Sequence, residues 1–212
     1  MIKKLVTFIS IAMLSFQVQA ESFVEGKDYV VLKNQTTQST ASNKVKVTDF
    51  FSYGCPWCFK LDKPLDSWAE KNQNQVALQK VPVVFNKSWL IYAKAYYTIN
   101  ALAPTQNIDD SLFEAIIDKN QKLSTPEEMA TFLAQHGIKE ESAQNALTHS
   151  PSIDLQIQND RQLMVSYQIT AIPAVVIDNK YKTDLQMAQN KERFFAILDF
   201  LVEKASKSEQ EN

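Results

Sequence analysis

The sequence predicts an α/β fold interrupted by an inserted all-helical domain, and three stretches of the chain indicate it. Residues 44–53, KVKVTDFFSY, carry the β-branched and aromatic side chains typical of a strand, and helical spacing follows from residue 56. Residues 88–167 are almost wholly helical in pattern. Strand character returns in IPAVVID at 172–178, before a hairpin and a terminal amphipathic helix. This order is that of one α/β unit with a helical insertion.

Local signals justify each element in turn. Pro64 is expected to kink the first helix. Thr125 and Glu128 form a capping box at the start of a later helix, which Gly137 ends. Asp178-Asn179 predicts the turn of a hairpin. The predicted strands are 26–33, 44–53, 75–85, 172–178 and 180–183, and the predicted helices begin at 56, 88, 109, 126, 140, 151 and 190.

The N-terminus has the pattern of a secretory signal peptide. Lys3 and Lys4 precede a mostly apolar run, and cleavage is expected after Ala20. The alternative is a membrane anchor, although the apolar run is shorter than the roughly 20 residues that a spanning helix needs. No later stretch has that length, so we expect an exported protein without stable membrane insertion.

The charge balance argues against nucleic-acid binding. The chain has 212 residues and a net charge of −2, and loss of the signal peptide removes two lysines and no acid, which leaves −4. A mildly acidic chain without a basic run lacks the electrostatic footprint of a nucleic-acid-binding protein.

The chain contains two cysteines, Cys55 and Cys58, in the motif CPWC. A structural disulfide is a weak explanation, because joining these two residues closes almost no loop. A zinc site is also weak, because the pair supplies half of the usual four ligands and His136 and His149 lie in predicted helices without ligand spacing. A CxxC pair that follows a strand in an α/β pattern is typical of a thioredoxin-like redox dithiol.

The predicted position of Cys55 suits a reactive thiol. It lies where a strand gives way to a helix, and the unpaired N–H groups and dipole of a helix N-terminus stabilise a thiolate. Pro56 fits the first helical turn, and Gly54 is expected to give the backbone freedom before the cysteine. We therefore predict an exposed, attackable Cys55 and a sheltered Cys58 that share a redox-active disulfide, with no other cofactor.

The segments VTDFFSYGCPWC and TAIPAVVID, on either side of a helical insertion, resemble the DsbA family of periplasmic thiol oxidases over nearly the whole mature chain. The resemblance implies a thioredoxin fold split by an all-helical domain. It implies domain bounds of 1–20 for the signal peptide, 21–86 with 166–212 for the thioredoxin-like domain, and 87–165 for the insertion.

The resemblance also implies roles for further residues. Pro173 corresponds to a cis-proline facing the CxxC motif, whereas a trans proline at an edge strand is the alternative. Ile172 would offer backbone groups to a substrate peptide. Asp49 corresponds to a buried acid that exchanges protons with Cys58, with a solvated acid at the strand end as the alternative.

Two positions depart from the family pattern. Many members carry His between the cysteines, where this chain has Trp57, and Trp has no titrating charge. We therefore expect a less oxidising couple, in which the helix terminus alone lowers the pKa of Cys55. The family usually has Glu at the position of Asp49, so the resemblance does not fix how far the proton relay reaches here.

The sequence thus predicts a periplasmic dithiol-disulfide oxidase that acts on unfolded or reduced exported proteins through a mixed disulfide at Cys55. The resemblance implies a DsbB-type, quinone-linked membrane partner for reoxidation. The apolar surface around Trp57, Phe59 and Pro173 is the expected peptide groove, although Phe59 could equally belong to the helix core. An isomerase or reductase kept reduced by a partner, and a chaperone-like binding module, are the alternatives.

Overall fold

A computed structural model describes residues 22–33, 44–103 and 107–210 of the chain. The predicted signal peptide, its cleavage point and the polar loop at 34–43 lie outside these described residues.

A five-stranded mixed sheet forms the centre of the molecule, with the strand order β1-β5-β4-β2-β3. Strands β2 and β3 are parallel, and the other neighbouring pairs are antiparallel. The strands are β1 Val30–Val31, β2 Val45–Phe51, β3 Val76–Pro82, β4 Ala174–Ile177 and β5 Tyr181–Asp184. The confirmed edge strand β1 is shorter than the predicted 26–33.

Side-chain alternation along β2 assigns the two faces of the sheet. Val45 and Val47 pack into a cluster with helix α1, Pro56–Lys71, and helix α8, Lys191–Gln210. Phe50 points to the opposite face, where it packs with Val81 and Tyr167. Asp49 shares the α1 face with Val45 and Val47, because successive side chains alternate.

The helical insertion follows β3, as predicted. Its helices are α2 Lys87–Leu102, α3 Asp109–Phe113, α4 Pro126–Gln135, α5 Glu140–His149 and α6 Pro151–Ser166, with a π-helical turn at Glu114–Asp118 after α3. The predicted capping box is present at the start of α4, where the Thr125 and Glu128 side chains bond reciprocally to backbone N–H groups. An apolar core of the insertion continues into the cysteine motif, so the two parts of the fold share buried surface.

The C-terminal elements follow the predicted order with one addition. Asp178 and Asn179 both have positive φ, of 52° and 53°, and they turn β4 into β5. A one-turn helix, α7 Leu185–Ala188, then precedes α8 and was not predicted. Among the described residues, no helix has the length and apolar character needed to cross a membrane.

Candidate active site

The CPWC motif lies at the junction of β2 and α1. Cys55 is the N-cap of α1, and its Sγ accepts a hydrogen bond from the Cys58 backbone N–H at 3.1 Å. Pro56 occupies the first helical turn, where its missing N–H costs no hydrogen bond. A disulfide joins Cys55 to Cys58, with the two Cα atoms 5.2 Å apart. The structure therefore confirms the prediction that the pair lies where a strand is followed by a helix.

The predicted difference in exposure between the two cysteines is wrong. Cys55 is 5% exposed and Cys58 is 3% exposed, so both are buried to nearly the same degree. The reason is that Cys55 packs into the same apolar cluster as Phe51 and Tyr53. What distinguishes the two sulfurs is helix position, because Cys55 alone lies at the N-cap.

Gly54 is required for a reason other than backbone freedom. Its φ is not among the positive values in the described residues, so the predicted conformational role is wrong. Instead, a Cβ at this position would overlap the indole ring of Trp89, which lies in the first turn of α2. The insertion therefore packs directly against the backbone that precedes Cys55.

We expect Gly54→Ala to destabilise the protein by about 1–3 kcal/mol, because the added methyl group must displace the Trp89 ring. Urea unfolding of the oxidised protein measures this change. The double variant Gly54→Ala/Trp89→Leu is the control, since it removes the overlapping ring. Additive losses in the double variant would contradict a direct clash.

Ile172 and Pro173 lie beside the disulfide, at the entry to β4. The peptide bond between them is cis, as the resemblance implied. The carbonyl oxygen of Ile172 lies 3.9 Å from the Cys55 Sγ, and the side chain of Pro173 is buried. The structure thus brings the backbone of residue 172 next to the N-cap sulfur.

A groove of about 910 Å³ runs alongside this constellation. Trp57, which is 61% exposed, lines the groove together with Ile172 and Pro173. Phe59, in contrast, stacks on Phe113 of α3 with ring centroids 5.5 Å apart. Of the two readings left open for Phe59, the structure therefore favours helix core over groove.

Asp49 is buried on the α1 face of the sheet, with 3% exposure, so the alternative of a solvated acid is wrong. Its Oδ1 has no hydrogen-bond partner among the described residues. Burial raises the pKa of Asp49 to about 7, and the charge of Lys80 limits the rise. A carboxyl group with such a pKa can accept or donate a proton near neutral pH.

Lys80 completes a partly buried charged network that the sequence reasoning missed. It is paired with Asp49 in the register of β2 and β3, and its Nζ donates to Asp62 at 2.8 Å and to Asp66 at 2.9 Å. Burial opposes its charge, but the two carboxylates outweigh burial and raise the pKa of Lys80. Burial raises the pKa of Asp62 to about 6 despite the same ion pair. Alternation along β3 was the available signal, since it places Lys80 on the α1 face.

The insertion also contributes polar contacts to the site. The hydroxyl of Tyr53, two residues before Cys55, donates to the Asp109 carboxylate of α3. Burial raises the pKa of both groups. Lys63 of α1 lies 3.3 Å from Asp110 in an ion pair. The loop that precedes the cysteines is therefore joined to α3 by a partly buried hydrogen bond.

The two histidines are not part of the site. His136 caps the end of α4 and His149 is the last residue of α5. Within the ranges that the structure describes, no group of three or more His, Cys, Asp or Glu side chains could hold a metal ion.

A disulfide at a helix N-terminus, in a mixed sheet with a helical insertion, defines the class of thioredoxin-like thiol:disulfide oxidoreductases. A family model described as a DSBA-like thioredoxin domain matches residues 89–201. The thiol:disulfide interchange protein DsbA of Pseudomonas aeruginosa is 32% identical over 186 residues, which cover 88% of this chain and 87% of that protein. The protein of the same name from Azotobacter vinelandii is 33% identical over 178 residues, which cover 84% of this chain and 82% of that protein.

Solved structures agree with this assignment. The crystal structure of Pseudomonas aeruginosa DsbA matches with a TM-score of 0.83 at 30% identity, over 89% of this chain and 97% of that one. NmDsbA1 of Neisseria meningitidis matches with a TM-score of 0.74 at 26% identity, over 89% and 96%. The chain belongs to the DsbA family and is a thiol:disulfide interchange enzyme.

Proposed function

We propose that the protein is a dithiol-disulfide oxidase that introduces disulfide bonds into exported proteins through its CPWC motif. The observation that carries this proposal is the hydrogen bond from the Cys58 N–H to the Cys55 Sγ at the N-cap of α1. The same N–H, together with the helix dipole, stabilises a Cys55 thiolate once the disulfide is reduced. A couple whose reduced form is stabilised in this way is an oxidant.

The reaction consists of two thiol–disulfide exchanges. A substrate thiolate attacks the Cys55 sulfur, the Cys55–Cys58 bond breaks, and Cys58 leaves as a thiolate that takes up a proton. A second substrate thiolate attacks the substrate sulfur of the mixed disulfide and expels the Cys55 thiolate. Two electrons pass from the substrate dithiol to the enzyme, which ends with both cysteines reduced. A stable Cys55 thiolate speeds the second exchange because it is a good leaving group.

Asp49 supplies and receives the proton of Cys58 in this proposal. It lies on the sheet face that α1 covers, and its pKa of about 7 allows both directions of transfer near neutral pH. Burial is the main cause of that raised pKa; the charge of Lys80 lowers it and the charge of Asp62, on α1, raises it further.

The substrate peptide occupies the groove beside the disulfide. The backbone of Ile172, whose carbonyl lies 3.9 Å from the Cys55 Sγ, pairs with the peptide, and Pro173 and Trp57 contact its side chains. Main-chain pairing accepts many sequences, which suits an enzyme that acts on diverse unfolded chains.

The proposal includes the cellular setting and the domain division. The enzyme acts in the periplasm after removal of residues 1–20, and a DsbB-type, quinone-linked membrane protein reoxidises the two cysteines. The thioredoxin-like domain comprises 21–86 and 166–212, and the helical domain comprises 87–165.

The thiol state in the exported compartment tests the proposal against its alternatives. Alkylation of the free thiols, followed by gel-shift analysis, is expected to find Cys55 and Cys58 oxidised at steady state. An isomerase or reductase would be found reduced. A Cys55→Ala variant that still restores disulfide formation in a strain lacking its own oxidase would reject every redox function, including ours.

We expect Trp57→His to make the couple more oxidising by about 30 mV, a tenfold change in the equilibrium constant. A histidine cation beside Cys55 stabilises its thiolate, and the indole of Trp57 carries no charge to do so. Equilibration with glutathione buffers measures the potential. Trp57→Phe is the matched control and should leave the potential nearly unchanged, whereas equal potentials in the His and Phe variants would reject the explanation.

A further inference from the structure

The groove beside the disulfide is lined by both apolar and positively charged side chains. Apolar lining comes from Leu61 of α1, from Ile172 and Pro173, and from Leu185 of α7. The charged lining residues are Lys60, Lys191 and Asp184. The balance among these three groups decides which peptides the groove favours.

The two lysines have charges that the protein itself does not neutralise. Lys60 is exposed, and its Nζ lies 4.5 Å from the centroid of the Trp57 ring. Lys191 is exposed at the first residue of α8. Neither ammonium forms an ion pair with any residue that the structure describes.

Among the described residues that line the groove, the one carboxylate is already engaged. The Asp184 side chain caps α7 by accepting a hydrogen bond from the Met187 N–H at 2.8 Å. It therefore offsets part of the local positive charge but leaves both lysines without a direct partner.

Helix α1 separates charges between its two sides. Asp62 and Asp66 point towards β3, where Lys80 binds both of them. Lys60 points to the groove. A chain with a net charge of −2 thus presents a positive groove next to its disulfide, while Asp62 and Asp66 of α1 are bound to Lys80.

We propose that this groove selects substrate segments in which an acidic side chain lies within a few residues of the reacting cysteine. The ammonium of Lys60 lies over the ring of Trp57, which is between Cys55 and Cys58 in the sequence. Apolar side chains next to the acid pack on Leu61, Ile172 and Leu185. The inference rests on the proposed oxidase function and adds a substrate preference to it.

Three peptides that differ at one position test this preference. Each contains a pair of cysteines and carries Glu, Gln or Lys two residues from the first of them. The rate at which each peptide reduces the wild-type disulfide is divided by its rate with an uncharged disulfide, 2-hydroxyethyl disulfide, which corrects for the effect of the charge on the peptide thiol itself. We expect the Glu peptide to react about two- to fivefold faster than the Gln peptide, with the Lys peptide slowest.

Salt and charge reversal show whether the lysines cause the preference. Raising the salt from about 20 mM to about 500 mM should remove most of the difference, because exposed charges are screened. The Lys60→Glu/Lys191→Glu variant should reverse the order of the Glu and Lys peptides. Lys71→Gln, an exposed lysine at the far end of α1, is the control and should keep the wild-type order.

The outcomes separate this inference from the function on which it rests. Equal corrected rates for all three peptides, or an order that survives the double charge reversal, would overturn the acidic preference while leaving the oxidase intact. Failure to oxidise any of the peptides would overturn the proposed function itself.

Discussion

Replacing Asp49 with asparagine is expected to increase the free energy of unfolding at pH 8. The gain of the variant over the wild type should be about 2 kcal/mol larger at pH 8 than at pH 5. Asp49 is 3% exposed, and burial raises its pKa from 3.8 to about 7. At pH 8 the native protein must hold a buried carboxylate, and the neutral amide removes that cost. Urea titrations of the oxidised wild type and variant at both pH values measure the difference.

The sign follows from proton uptake on folding. Between about pH 4 and pH 7 the native protein binds a proton at Asp49 that the unfolded chain does not bind. The stability from this group is therefore present at low pH and is lost as the pH rises towards 7. Asp118→Asn, which changes an exposed acid at the end of the π-helical turn, is the control and should show no such dependence. An Asp49→Asn variant that loses stability at pH 8 would contradict the buried-charge explanation.

The two cysteines should give opposite results when each is replaced alone. We expect Cys58→Ala to accumulate mixed disulfides with substrate proteins. Its Cys55 thiolate attacks a disulfide already present in a substrate and expels one of the two substrate sulfurs as a thiolate, and the Cys58 thiol that could then release the substrate is gone. Cys55→Ala should form none and should lose all oxidase activity. Non-reducing gels of the two variants, purified from the exported fraction, measure the trapped complexes.

Exposure does not explain this expected asymmetry, since both sulfurs are shielded to a similar extent. The explanation is the position of Cys55 at the N-cap, next to the Ile172 carbonyl and close to the groove. Trapped complexes in Cys55→Ala at the level of Cys58→Ala would show that either sulfur receives the substrate, against the mechanism proposed above.

The elements that the sequence predicted well are those with strong local signals. The alternating apolar residues of β2, the Cys-Pro start of α1 and the capping box at Thr125 depend on neighbours in the chain. The Asp178-Asn179 turn is predictable because these residue types tolerate the positive φ that the hairpin requires. These local features were sufficient to give the order of the elements and the location of the cysteine pair.

Features that depend on tertiary packing were missed or misread. Helix α7 has a single turn, too short for a periodic pattern. The need for glycine at position 54 comes from Trp89, which lies 35 positions further along the chain. The φ of Gly54 is not positive, so backbone conformation does not explain the glycine. The bond between Tyr53 and Asp109 likewise joins distant segments, which no local pattern predicts.

Electrostatic properties of the site were only partly predictable. The burial of Asp49 was a reasonable expectation from its place in a strongly apolar strand, but its pKa depends on Lys80 and Asp62. Those partners are set by the register of β2 against β3 and by the way α1 packs on the sheet. The positive groove depends on the same arrangement, because Lys60 lines the groove whereas Asp62 and Asp66 bind Lys80 of β3.

The central claim is that the helix N-terminus makes the Cys55–Cys58 pair an oxidising couple. Its most direct test is the reduction potential of the wild-type protein, measured from the fraction reduced across glutathione buffers at pH 7. Our account predicts a potential more oxidising than about −200 mV, above the glutathione poise of a reducing compartment. A potential below that value, towards the roughly −270 mV of thioredoxin, would contradict it and would indicate a reductase.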